Sequence, residues 1–307
     1  MSPSPPEPHY SLDFNARPGE PVRIDAGIVR VIANNPGAFT FTGTNSFILG
    51  DARVAVVDPG PKDPAHLDAL IGAIKGRKVD AILLTHTHRD HSALALELQR
   101  RTKAPLVFAG PHRPSRKTGP FEPNPVGRSS DTGLSPDQTL LDGETIRLDG
   151  LGVRVVSTPG HCANHVCFAL AGTPYLLSGD HVMGWSSTVI ADPDGAVAPY
   201  LSSLDRLQAI SQTHYLPAHG GEIRDGKRQA LALKAHREKR NTEILTALGK
   251  APMSAGELRA LIYPDIHAGA RLAALMTLKA HLHYLKDEGL VGVAGFGPWQ
   301  KFRRAKP

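Results

Sequence analysis

Cysteine is nearly missing from this chain. Cys162 and Cys167 are the only two among 307 residues, so no disulfide framework is expected, and a reducing cytoplasm is the expected compartment for a buried pair of thiols. Long hydrophobic runs are missing as well. No apolar stretch approaches the ~20 residues that cross a bilayer, and no membrane-spanning segment is predicted. The opening residues, MSPSPPEPHY, are polar and proline-rich with no hydrophobic stretch behind them, which does not read as a secretory signal. Aromatic residues make up 6%. Near the basic C-terminal residues only Trp299 and Phe302 could stack on bases, so RNA binding is possible but unmarked.

Positive charge is present but unevenly placed. The net charge is +6; residues 1–235 hold 23 basic and 23 acidic side chains, and residues 236–307 hold 12 and 6. All the excess lies in the last quarter, where it can attract a polyanion or simply face solvent.

Short β-branched runs alternate with turn residues through most of the chain. VRVI (29–32), SFILG (46–50), VAVVDPG (54–60), DAILLTH (80–86) and PLVFAG (105–110) read as strands, with helical spacing over 64–76 and 91–102. The second half repeats the style, with strands in 146–160, 165–172, 174–181 and 213–221 and a helix over 199–210. This pattern predicts a layered α/β domain over residues 25–235, preceded by a flexible segment, 1–24. Residues 111–137 are rich in proline, glycine and serine and read as a loop over the working edge of the domain or as a plain surface insertion. From 236 onward three amphipathic helical patterns precede the glycine-punctuated GVAGFGPWQKFRR. That order predicts a small winged-helix-like α+β domain, 236–307, with Leu272, Leu275, Leu278, Leu282 and Leu285 as its apolar face and Phe296 and Trp299 closing its core.

Histidine is abundant, at 15 residues. Isolated ones such as His9, His66 and His112 read as surface residues. THTHRDH, residues 85–91, is different: His86, His88, Asp90 and His91 follow a strand directly. Side chains two apart on an extended strand point the same way, so His86 and His88 address one point, and Asp90 and His91, past the bend, address a neighbouring one. Further candidates follow strands in glycine- or proline-marked loops: His161 in STPGH, Asp180 in LLSGD and His219 in LPAHGG. Seven ligands suit two zinc ions sharing a carboxylate and a water. Manganese or iron also accepts such a donor set.

THxHxDH followed by PGH, SGD and an H-G loop resembles the metallo-β-lactamase superfamily. The resemblance implies an αββα sandwich with a two-metal site at one edge of its sheets. It implies His86, His88 and His161 on one metal, Asp90, His91 and His219 on the other, Asp180 bridging, and Asp58 of VVDPG steadying the site. An aspartate at the bridging place departs from true β-lactamases of this fold, and the C-terminal pattern departs from the glutathione-binding tail of glyoxalase II. TGTNSFILG, THTHRDHSA, PGHCANHVCFAL and SGDHVMG, with the C-terminal domain, are similar to the β-lactamase-like protein 2 group. There Asn45 approaches the active site.

The chemistry implied is hydrolysis by a metal-bridging hydroxide, with Asp90 a ligand that can also relay a proton and His181 a proton donor or substrate contact. Hydrolysis of an ester, thioester or lactone is the first expectation, on a small-molecule or acyl-thioester substrate. Cleavage of single-stranded RNA is the second, and a metal-sensing DNA-binding regulator the third. The expected reading helix offers only Arg271, Lys279 and Lys286 among leucines and alanines, which counts against DNA reading. The C-terminal part is expected to wall the substrate cleft or to make a homodimer contact.

Overall fold

The computed structural model describes residues 5–15, 17–118, 124, 126–295 and 297–305. Phe296, expected in the C-terminal core, lies outside them.

Two sheets stack face to face. The first has seven strands in chain order: β1 (Val22–Asp25), β2 (Ile28–Ile32), β3 (Asn45–Leu49), β4 (Arg53–Val57), β5 (Lys78–Leu83), β6 (Leu106–Phe108) and β7 (Gln138–Thr139). The second comprises β8 (Thr145–Leu148), β9 (Leu151–Ser157), β10 (Val166–Leu170), β11 (Tyr175–Gly179) and β12 (His214–Pro217), in the order β12-β11-β10-β9-β8. β1 to β4 run antiparallel, β4 to β7 parallel.

The period of two along β4 sorts its side chains between layers. Ala55 and Val57 face the inter-sheet core with Phe47, Leu83, Val155, Phe168 and Leu177. Val54 and Val56 face the opposite way, onto helices α1 (Pro64–Ile74) and α3 (Ala95–Thr102). On the outer face of the second sheet, Val156, Cys167 and Leu176 meet Tyr200 and Leu204 of α4 (Val197–Gln208) and Leu233 of α5 (Gly226–Leu248). Helix, sheet, sheet, helix is the expected αββα order. Among the described residues no helix is long and apolar enough to cross a membrane.

Several local expectations change. The pattern over 91–102 is split into α2 (Arg89–Ser92) and α3, the chain turning at Ala93 and Leu94. His66 is buried, 2% exposed, because α1 turns His66, Leu67, Leu70, Ala73 and Ile74 toward the sheet, where the His66 ring meets Ser46 Oγ at 2.9 Å. Asp63 caps that helix through the Ala65 N–H. Residues 9–14 lie against the body: the His9 N–H donates to Gln229, the Ser11 N–H to the Gly184 carbonyl, and Arg30 covers the Phe14 ring.

Residue 236 falls in mid-helix, since α5 runs unbroken from Gly226 and belongs to both parts of the chain. Its first half packs on the second sheet and its second half, through Ile244 and Leu248, on a small separate core. That core is completed by α6 (Ala255–Ile262), α7 (Arg271–Asp287) and the hairpin β13 (Val291–Ala294) and β14 (Lys301–Arg304). Leu278, Leu282 and Leu285 are buried there, whereas Leu272 is exposed. Trp299 is exposed at 73%, and Phe302 at 3% fills the place expected for it.

Candidate metal centre

Four loops leave the carboxyl ends of β5, β9, β11 and β12 and meet at one edge of the sandwich. The sheets are tied there: the Val166 N–H donates to the Thr85 carbonyl and the Asn45 N–H to the Ala218 carbonyl. These loops bring all seven expected ligands together. Three overlapping groups place their donor atoms within 4.8 Å of one another: His86, His88 and His161; His86, His91 and Asp180; and Asp90, His91 and His219.

His88 Nδ1 stands 3.0 Å from His86 Nε2 and 2.9 Å from His161 Nε2. Asp90 Oδ2 is 3.3 Å from Nε2 of both His91 and His219. Asp180 reaches between these groups. Its Oδ2 lies 3.5 Å from His161 Nε2 and 3.6 Å from His91 Nε2, and its Oδ1 3.4 Å from His219 Nε2.

The second nitrogen of every one of these imidazoles meets an oxygen. His86 Nδ1 faces Thr85 Oγ1 at 3.0 Å, His91 Nδ1 faces Asp58 Oδ2 at 3.0 Å, and His219 Nδ1 faces the Gly43 carbonyl at 3.2 Å. His161 Nδ1 faces the Val189 carbonyl and His88 Nε2 faces Asp194 Oδ2, both at 2.7 Å. Such partners fix ring orientation and tautomer, leaving the inward nitrogen free to donate electrons.

The donor set fits metal ions. His91 Nε2, His219 Nε2 and Asp180 Oδ1 are buried with no hydrogen-bond partner among the described residues, and buried polar atoms are normally satisfied. The charge balance agrees. Burial pulls the His86 imidazole well below its ordinary pKa. Burial acts the same way on His91 and His219, yet neighbouring Asp90 and Asp180 outweigh it and hold both high, His219 at about 9. Burial raises Asp90 and Asp180, and the same two imidazoles overcome it and hold both carboxylates well below their usual range. Two adjacent carboxylates, Asp180 buried and Asp90 partly so, thus demand positive charge at this point, which a divalent cation supplies.

The other expected residues sit around this cluster. Asp58 is buried and accepts from the Thr85 N–H, Thr85 Oγ1 and His91 Nδ1. Asn45 is 1% exposed and donates through Nδ2 to the Pro217 and Gly220 carbonyls, bracing the His219 loop. His181 is fully buried, belongs to none of the three groups, and packs on the Tyr200 ring; burial lowers its pKa to about 3. Both cysteines are free and buried.

Thr87 and Arg89, without a role in the sequence, anchor the loop 111–137. The Asp131 N–H donates to the Thr87 carbonyl, the Arg89 N–H to the Ser129 carbonyl, and Thr87 Oγ1 accepts from Asn164. The described parts of that loop therefore lie along the site. Sequence reasoning missed Asp194, and it missed His165, whose Nε2 accepts the Asp180 N–H at 3.1 Å.

Comparison with known proteins agrees with this geometry. The Beta-lactamase-like protein 2 homolog of Caenorhabditis elegans is 28% identical over 282 residues, covering 89% of this chain and 88% of that protein. The Atrochrysone carboxyl ACP thioesterase of Aspergillus chevalieri is 31% identical over 229 residues, covering 74% and 67%. A crystal structure of a metallo-beta-lactamase family protein from Thermus thermophilus superposes with a TM-score of 0.74 at 28% identity, covering 92% of this chain and all of that one. The family profile described as the metallo-beta-lactamase superfamily matches residues 39–219, the stretch that begins just before Asn45 and ends on His219. With the profile spanning most of the sandwich and every expected ligand converging at its edge, this chain belongs to the metallo-beta-lactamase superfamily.

Proposed function

We propose that this protein is a dinuclear, zinc-dependent hydrolase of acyl bonds, with a thioester as the leading substrate class and esters and lactones as related ones. The observation that carries the reading is Asp180, whose carboxylate reaches His161 on one side and His91 and His219 on the other. His86, His88 and His161 would hold one ion, Asp90, His91 and His219 the second, with Asp180 between them. Two such ions lower the pKa of water toward neutrality and polarise the carbonyl under attack.

The protein's own groups do the rest. Asp90, its side chain 28% exposed against 0% and 1% for His91 and His219, is the cluster member most open to solvent. Its carboxylate orients the attacking water and takes up a proton for delivery to the leaving thiolate or alkoxide. A cavity of about 150 Å³ between α5, α7 and the 186–189 loop includes Phe39, Val189, Arg237 and Thr277 in its lining. Val189 of that lining gives its carbonyl to His161 Nδ1, so the cavity adjoins the cluster from behind His161, which supports a role for the C-terminal part as a wall of the substrate cleft. The thioesterase name of the Aspergillus relative supports the choice of bond.

The test joins metal analysis to a panel of acyl thioesters, esters, lactones and a fluorescent single-stranded RNA. About two metals per chain, thioester turnover and its loss in His88→Ala are expected. Cleavage of RNA alone would replace the substrate assignment with a phosphodiesterase one. Full activity in metal-free protein would end the reading.

A further inference from the structure

One short segment supports two of the three histidines that would hold the first ion. The Val189 carbonyl meets His161 Nδ1, and five residues later Asp194 Oδ2 meets His88 Nε2, both at 2.7 Å. Asp194 is fully buried. Its other oxygen faces His112 Nε2 at 3.3 Å, and no Arg or Lys lies within ion-pairing distance among the described residues. A carboxylate held this way accepts from Nε2–H of His88 and leaves Nδ1, the atom facing His86 and His161, as the free lone pair. The preceding loop and the C-terminal helices hold this segment from outside. Ser115 donates through its N–H to the Pro193 carbonyl and through Oγ to the Asp194 carbonyl. Arg116 makes a two-pronged contact with Asp192, at 2.7 and 2.6 Å. From α7, His283 Nδ1 reaches Asp192 Oδ1 at 2.9 Å, and Thr277 Oγ1 accepts the Ile190 N–H.

We propose that Asp194 is a positioning residue of the metal centre, setting the orientation and tautomer of His88, and that α7 holds the 189–194 segment in place for it. This assigns the C-terminal helices a task at the site independent of any substrate contact. The proposal rests on the two-metal reading and concerns metal affinity, so it is tested without turnover.

The experiment is titration of metal-free full-length protein with Co(II) against a chromophoric chelator, for wild type, Asp194→Asn and His283→Gln, with melting of each metal-free protein as the fold control. Wild type is expected to take up two ions; if it takes up none, the two-metal reading itself fails. Asp194→Asn keeps the shape but presents an amide. It is expected to weaken one of the two ions about 10–100-fold, alter the cobalt absorption spectrum and leave the other ion near its wild-type affinity. His283→Gln, far from every ligand in sequence, is expected to weaken the same ion severalfold with an unchanged metal-free melt. Wild-type affinities in Asp194→Asn would overturn the positioning role, and wild-type affinities in His283→Gln would overturn the hold exerted by α7. Should Asp194→Asn fail to fold, the His283→Gln titration still decides whether the segment governs that ion.

Discussion

Asp58 and His91 form a buried carboxylate–imidazole pair, Oδ2 to Nδ1 at 3.0 Å, one residue of the pair following β4 directly and the other lying in α2. Asp58 takes a left-handed backbone conformation, φ 48°, which aspartate tolerates better than branched residues do. Its two oxygens gather three donors, one on His91 and two on Thr85. The pair thus directs His91 Nε2 toward Asp90 and Asp180.

Removing the acceptor separates its two roles. Asp58→Ala strands three buried donors, each at a cost of about 1–3 kcal/mol, so a melting point lower by several degrees is expected. Asp58→Asn keeps the volume and is expected to fold, yet to bind the ion at His91 about 10–100-fold more weakly. Differential scanning fluorimetry and metal analysis distinguish the two outcomes, and an Asn variant with full metal content contradicts the role given to Asp58.

Gly179 ends β11 with φ 52°, and a Cβ there would sit 2.5 Å from His165 Nε2, the acceptor for the Asp180 N–H. Gly179→Ala therefore either displaces His165 or moves Asp180. The expected cost is about 1–3 kcal/mol from overpacking, with hydrolysis falling more steeply than stability because Asp180 stands between His161 on one side and His91 and His219 on the other. Equal loss of activity and melting temperature would indicate a purely structural residue.

Chelation is expected to lower the melting temperature. An ion present at 100 times its Kd contributes about 2.7 kcal/mol, about 4 °C for a chain of 307 residues. Zinc or manganese should restore the melt, and magnesium should not, because imidazole-rich sites disfavour it. An unchanged melt in excess chelator would contradict ligation by His86, His88 and His161.

Much of the candidate site was legible because its candidate ligands announce themselves. His86, His88, Asp90 and His91 share one stretch, and His161, Asp180 and His219 each follow a strand and a glycine or proline turn. The layers were legible from the period of two in runs such as VAVV. The supporting partners were not. Val189 and Gly43 contribute carbonyls, which no side-chain pattern reveals, and Asp194 lies in a loop whose path depends on contacts with α7 and Ser115. The start of α5 was missed because charge composition marks solvent exposure rather than helix ends; Asp225 caps it at Gly226, under the Tyr215 ring. Burial of His66 was hidden for a related reason: a single histidine gives no periodicity of its own.

That buried histidine yields a pH prediction. His66 is 2% exposed, its Nε2 meets Ser46 Oγ at 2.9 Å, and its Nδ1 has no hydrogen-bond partner among the described residues. Burial pulls its pKa down to about 4, below the ~6.5 of an unfolded chain. Between those two values the unfolded state binds a proton that the folded state refuses. The stability contributed by neutral His66 is thus fully present above about pH 6.5 and is lost progressively as the pH falls through 4, by up to about 3 kcal/mol in all. His66→Gln keeps a polar group near Ser46 but removes the titration. Its stability deficit relative to wild type should shrink, or reverse, between about pH 7.5 and about pH 4.5, on either side of the unfolded value, as measured by urea unfolding at both. The other buried histidines titrate in both proteins and cancel in this difference. A deficit constant across that range would mean that the His66 ring accepts a proton in the folded state as readily as in water, and burial would not be what sets its pKa.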